Sequence, residues 1–374
     1  MRTSKLVVAS NGKRFIVGFI VLCIAAVLLM LALPSVPSDA STPTRHSSDE
    51  VGESSTIEVP AGAPEIATIE GKITVPPYRL NGTHFEVVRN LSTTPVEWYG
   101  SAAMDAEGFI VFPPGVDKVF IEVGTNDEPE LGPLLRLHPN AALIGFEPQP
   151  GVFTDMLKKF PTKQRLVTFP AAITPSEGFV PMFVSAHKGC SSLLSMNDRA
   201  RHFAKKEGKR APRKSGVIQL RTLEYCASID QQINVPSFPL RTVLSKIPPQ
   251  ISIDLLMIDA QGFDIVVAST IGSAGSRAKF VVLECQDLDP GHLLFLVQGA
   301  PSCHQQKQCF EASMPHRLEY CWDNAPKVRE YNCLYRRPDV SIDDLPKGVK
   351  IVSQPRPIHY PTTIQYKCPK FDTQ

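Results

Sequence analysis

The run Lys118-Val119-Phe120-Ile121-Glu122-Val123-Gly124-Thr125-Asn126-Asp127 constrains this chain more than any other segment. A short β-branched and aromatic stretch ends in an acid, then a glycine, then small polar residues. A buried parallel strand that opens into a tight turn has this form, and the glycine lets backbone approach a nucleotide-like ligand. A second apolar run, Ala141 to Phe146, ends in another acid, Glu147, followed by Pro148. Two strand-terminal acids on neighbouring strands suit a ligand with an amino acid end and a ribose end. A carboxylate can accept both ribose hydroxyls at once.

Further short apolar runs at 165–169, 180–184, 253–258 and 279–285 read as strands, with helices expected over 129–138, 150–160 and 262–272. A lead-in of short strands or loops is expected over 76–115, near 84–88 and 108–112. Continuous apolar strands spaced by helices predict an α/β fold with a mostly parallel sheet covered on both faces. Ligands of such sheets bind at the carboxyl ends of the strands.

The N-terminal end has a different character. Phe15 to Leu33 carries no charge and follows Arg2, Lys5, Lys13 and Arg14. As a helix it spans about 28 Å, close to the hydrocarbon thickness of a bilayer. Basic residues on its N-terminal side predict a type II signal anchor, with residues 1–14 cytoplasmic and the body in the secretory lumen, Golgi or cell surface. A signal peptide cleaved near Ser38-Asp39-Ala40 is the competing reading. Residues 34–75, rich in Pro, Ser and Thr, read as a disordered stem. Sequons follow at Asn81-Gly82-Thr83 and Asn90-Leu91-Ser92. Of nine cysteines, Cys23 lies in the span and eight lie beyond it, an even number that suits disulfides in an oxidising compartment. Residues 76–298 then form the main domain, and 299–374 a Cys-rich extension, expected as a disulfide-stapled cap. Cys303, His304, Cys309 and His316 follow no standard zinc spacing, and no metal is assigned.

Several segments occur in a fixed order: EVGTND, FEP at 146–148, Pro170-Ala171-Ala172-Ile173, GCSSL at 189–193, LRTVL at 240–244, Ile258-Asp259-Ala260-Gln261-Gly262-Phe263-Asp264, and Val282-Leu283-Glu284. Over about residues 116–290 this order resembles the FkbM-type S-adenosylmethionine-dependent methyltransferases. The resemblance implies a class I, Rossmann-like methyltransferase fold with S-adenosyl-L-methionine as cofactor, acting as an O-methyltransferase. It implies that Glu122 and Gly124 line the methionine end, that Glu147 holds the ribose, and that Ala172 lies near the adenine; Asn126 is a further cofactor-binding candidate. Asp259 is the candidate catalytic residue, as substrate ligand or general base; Asp264, Glu284, Ser191 and Ser192 are secondary candidates. Glu122 and Glu147 have an alternative use, as acids at the N-termini of the following helices. The chain departs from the pattern at Glu128, where a second glycine is common, at Met257, where a lysine often stands, and at Gln261, in place of an acid.

With a net charge of +2 nothing global points to nucleic acid, and none is expected as a partner. The basic run from Arg199 to Lys214 reads as a solvated loop or as a guide for an anionic glycan acceptor. A small hydroxyl compound is the other acceptor class. Two further functions are weighed. One is a type II glycosyltransferase with Asp287-Leu288-Asp289 as a metal-binding DxD. The other is a catalytically inactive lumenal binding protein.

Overall fold

The computed structural model describes residues 78–88, 99–160, 165–199, 202, 225–226, 228–288, 297–325, 329–349, 358 and 366–371. The expected anchor, the stem, the sequon at Asn90, Asp289 and most of the basic run lie outside the described residues. Among the described residues no helix is long and apolar enough to cross a membrane.

Strands β1 (Tyr78–Asn81), β2 (His84–Val88) and β3 (Tyr99–Ala103) form a small antiparallel sheet, and the Asn81 sequon runs through the β1–β2 turn. Then come β4 (Lys118–Val123), β5 (Ala141–Phe146) and β6 (Leu166–Phe169), followed by β7 (Ala172–Ile173), β8 (Gly178–Ser185) and β9 (Ile229–Phe238). The chain continues through β10 (Ser252–Ile258), β11 (Phe280–Gln286), β12 (Arg317–Ala325) and β13 (Glu330–Arg336). Helices α1 (Leu134–Leu137), α2 (Pro150–Lys159), α3 (Arg241–Leu244), α4 (Asp264–Ser269) and α5 (Cys303–Ser313) lie between them.

The central sheet has the order β12-β13-β11-β10-β4-β5-β6. Neighbours from β11 to β6 pair in parallel, while β13 runs antiparallel to both β11 and β12. From β4 the chain moves outward through β5 and β6, then returns to the other side of β4 as β10. The strand order therefore reverses between β4 and β10, where an open α/β sheet leaves a crevice at its carboxyl edge. This is the expected Rossmann-like, class I methyltransferase architecture. Two strands from the cysteine-rich stretch complete its antiparallel edge.

Each face of the sheet has its own core. Val119, Ile121 and Val123 of β4 pack with Ile144, Phe146, Leu256 and Ile258 on one face. Phe120 packs with Leu131, Leu134, Leu143 and Met257 on the other. Phe146 stacks on Phe169 at 5.4 Å, and Phe85 from the small sheet meets Phe169 edge-on at 5.3 Å. These rings fix the end of β5, the residue before Glu147; such pairs add about 0.5–1.5 kcal/mol each beyond their buried area.

All eight cysteines beyond Cys23 pair: Cys190–Cys226, Cys285–Cys303, Cys309–Cys368 and Cys321–Cys333. The residues weighed as a zinc set are thus engaged separately. Cys303 and Cys309 belong to different disulfides, His304 contacts Gln308, and buried His316 bonds the Ala278 carbonyl.

Candidate active site

A cleft of about 650 Å3 opens at the carboxyl ends of β4, β5 and β10. Its floor is the turn after β4. Gly124 sits at φ +88°, and a Cβ there would lie 1.8 Å from the Asp259 carbonyl oxygen. Only glycine lets β4 and β10 converge this closely. The turn is fixed by Gly124 N and Thr125 N donating to the Phe146 carbonyl, and by Asp259 N donating to Val123 O.

Glu147 leaves the end of β5 into the cleft. Its Oε2 accepts Asn126 N at 3.0 Å and its Oε1 accepts Gln149 N at 2.7 Å. Each carboxylate oxygen has about two acceptor sites, so one remains on each for a ligand. Burial pushes this carboxyl up to about 7, against the two amides that favour its charged form; the charges of Asp259 and Asp127 add to the rise.

The segment from Asp259 to Asp264 forms the opposite wall. Asp264, fully buried, accepts Ala260 N at 3.1 Å and Gly262 N at 2.9 Å, and so clamps the loop. Burial and the charge of Asp259 raise its carboxyl to about 8. Gln261, at φ +51°, aims Nε2 at both Asp259 Oδ1 (2.8 Å) and Glu284 Oε2 (2.9 Å). Burial raises both carboxyls, and the charge of Asp259 raises Glu284 further.

Gln261 also lines a second, smaller cleft of about 360 Å3 with Glu284, Gln306 and Glu330. Asn324 Nδ2 joins Glu284 Oε1 at 2.7 Å to Glu330 Oε1 at 2.9 Å. Burial raises Glu330 to about 7, and the charge of Asp259 adds to this.

Gly124, Asn126, Glu147, Ala172 and Asp259 thus line one cavity, together with Ser191 and Ser192. The structure does not bring Glu122 there. Its carboxylate lies on the Phe120 face of β4 and accepts Glu130 N at 2.8 Å and Leu131 N at 2.9 Å, ordering the approach to α1. Burial raises it to about 8 despite those two amides. Val123, one residue on, reaches the cleft instead.

Of the departures from the family pattern, Glu128 is solvent-exposed and outside the cleft lining, so its bulk leaves the cavity open. Met257 is packed in the core beside Phe120. Asp287 is fully buried and lines neither cleft. Sequence reasoning missed Gln149, which accepts Ser191 Oγ at 3.1 Å, and the lining residues Lys188 and Phe263. It also missed Gln306 and Glu330. The Ser302-x-x-Gln305 capping box, a legible helix-start signal, would have located the helix that carries Gln306.

No family model matches the chain's sequence, and no curated protein does. Among solved structures it is similar to fibrillarin in a fibrillarin–Nop5p complex, at 10% identity over 62% of this chain and 77% of that one, TM-score 0.31. An O-methyltransferase family 2 protein from Planctomyces limnophilus in complex with apigenin gives 10% identity over 61% and 54%, TM-score 0.31. Aeropyrum pernix fibrillarin, with natively bound S-adenosyl-L-methionine, gives 8% identity over 68% and 94%, TM-score 0.28. At such values the fold assignment rests on strand order and register in the chain itself.

Proposed function

We propose that this chain is an S-adenosylmethionine-dependent O-methyltransferase of the FkbM type, held by Phe15–Leu33 as a type II membrane protein of the secretory pathway. The observation that carries the reading is the placement of Glu147. A strand-terminal carboxylate with one open acceptor site on each oxygen faces a cleft at the sheet's topological switch point.

The cavity fits the cofactor's parts. Glu147 would take the two ribose hydroxyls, Ala172 and Phe263 would flank the base, and Gly124 with Asn126 would receive the amino acid end. The bound cofactor would supply an electrophilic sulfonium methyl. The protein's own task is to align an acceptor oxygen and take its proton. Asp259, held by Gln261, is placed to hold the acceptor hydroxyl and would take its proton. The Asp259 carboxylate beside the acceptor position favours an uncharged glycan or small-molecule hydroxyl, because the charge of a uronate or sulfate would oppose it.

Transfer of isotope-labelled methyl to a panel of neutral, uronate-bearing and sulfated glycans tests this. Label is expected on a neutral hydroxyl, falling about 10²–10⁴-fold in Asp259→Asn. Absence of label on every acceptor, with consumption of a UDP-sugar in the presence of manganese, would overturn it in favour of a glycosyltransferase.

A further inference from the structure

One wall of the cofactor cleft is built by neither β5 nor β10. After β8 ends at Ser185, the chain turns through Lys188–Cys190, and Lys188, Gly189, Ser191 and Ser192 line the cavity. Gly189 lies against the β4 turn, since a Cβ there would come within 3.2 Å of Asn126 Nδ2. Backbone bonds tie the far end of this wall to β8, Phe183 N to Ser192 O at 2.8 Å and Ser192 N to Phe183 O at 3.1 Å, and Ser185 N donates to Ser191 Oγ at 3.1 Å. Ser191 Oγ bonds Gln149 Oε1, and Ser192 Oγ donates to the Gln261 carbonyl at 2.9 Å. Lys188 pairs with Asp155 at 3.2 Å and Asp127 at 3.6 Å, both near the surface and therefore weak.

The covalent tie is Cys190–Cys226, and Cys190 sits between two cleft-lining residues. Cys226 is buried against Met196, Leu288, Val297 and Ala300, whereas Cys190 is half-buried. The exposed ring of His187 places Nδ1 3.6 Å from Cys190 Sγ. A ring N–H beside a sulfur can hydrogen-bond the thiolate left behind. The other pairs lack this combination. Cys285–Cys303 and Cys321–Cys333 are buried, and Cys309–Cys368, though exposed at Cys368, lines neither cleft.

We propose that Cys190–Cys226 is a reducible clamp on the cofactor cleft: a dithiol reductant opens it and thereby weakens cofactor binding. The thiolate of the reductant attacks Cys190 Sγ, the S–S bond breaks, and Cys226 leaves as a thiolate that takes a proton. The second thiol of the reductant then displaces Cys190. The protein gains two thiols while the reductant becomes a disulfide, a two-electron exchange. The effect on cofactor affinity rests on the methyltransferase reading; the effect on the wall does not.

The test uses the full chain. Graded dithiothreitol followed by alkylation and mass spectrometry should label Cys190 and Cys226 ahead of the two buried pairs. His187→Ala should slow that labelling several-fold. Hydrogen–deuterium exchange over 187–193 should rise at least tenfold on reduction. In calorimetry, S-adenosylhomocysteine should bind Cys190→Ser/Cys226→Ser about tenfold more weakly than wild type, and Cys309→Ser/Cys368→Ser as wild type does. Labelling of Cys190 and Cys226 only upon global unfolding, or unchanged exchange over 187–193, would overturn the clamp. Equal affinity in the two double variants would overturn its control of binding. If wild type binds no S-adenosylhomocysteine, the methyltransferase reading fails, and alkylation and exchange still decide the clamp.

Discussion

Replacing Glu147 with alanine removes the one carboxylate that faces the cleft from the end of β5. Each of its oxygens already takes a backbone amide, at 3.0 Å from Asn126 N and 2.7 Å from Gln149 N, and has one site left for a hydroxyl. Hydrogen bonds to a charged group contribute about 1.5–3 kcal/mol each, so two lost ribose contacts amount to about 3–6 kcal/mol. At about 1.4 kcal/mol per decade, S-adenosylhomocysteine affinity should fall by roughly two to four decades. Glu147→Gln, which keeps the shape and one acceptor oxygen, should lose roughly half as much in free energy. A second signature follows from protonation. The carboxyl of Glu147 sits at about 7 because burial disfavours its charge. Two hydroxyl donors favour the charged form, so binding should expel protons and weaken as pH falls below 7. For a carboxyl titrating at about 7, the ionised fraction drops about fivefold between pH 7 and pH 6, and affinity should follow. Calorimetry from pH 6 to 8 in buffers of different ionisation heat measures both. Binding by Glu147→Ala within threefold of wild type, or a flat wild-type pH profile, would refute the ribose assignment.

Gly124→Ala should destabilise the fold by about 3 kcal/mol in urea titration, because it forces a positive φ and drives a Cβ to 1.8 Å from the Asp259 carbonyl oxygen. Thermal stability should fall between pH 5.5 and 8.5. Glu122 and Asp264, each pushed up to about 8, hold protons in the folded state that the unfolded chain has released. Their contribution is complete below the ordinary carboxylate range and is lost as pH rises through about 8, with a slope of up to about 1.4 kcal/mol per pH unit for each proton. Scanning calorimetry of Glu122→Gln should show a flatter profile. Cys321→Ser/Cys333→Ser opens a link of sequence separation 12 between β12 and β13 and should cost about 3 kcal/mol in denaturant unfolding.

The parallel half of the sheet was legible because strands such as β4, β5, β10 and β11 are buried on both faces and read as unbroken apolar runs. Where burial is uneven, the pattern disappears. β9 begins Ile229-Asp230-Gln231-Gln232 with its first half exposed, and β12 and β13 pair through two register shifts, so neither keeps a clean alternation. The helix expected over 129–138 is reduced to 134–137, since Pro129, Gly132 and Pro133 break it and Glu122 takes the amides of residues 130 and 131. That same exchange removes Glu122 from the cavity. In a strand apolar on both faces, sequence alone does not reveal which parity meets the ligand. Gly124, Glu147 and Asp259 were legible because strand ends at the switch point face the crevice whatever the parity. Glu330 and Gln306 were not, because their elements join the site only through the tertiary fold.

The most direct measurement is titration of the wild-type chain with S-adenosylhomocysteine and, separately, with a UDP-sugar plus manganese. A single saturable heat with the first and none with the second is the predicted result. Silence with S-adenosylhomocysteine and saturable heat with the UDP-sugar would contradict the assignment of this cleft.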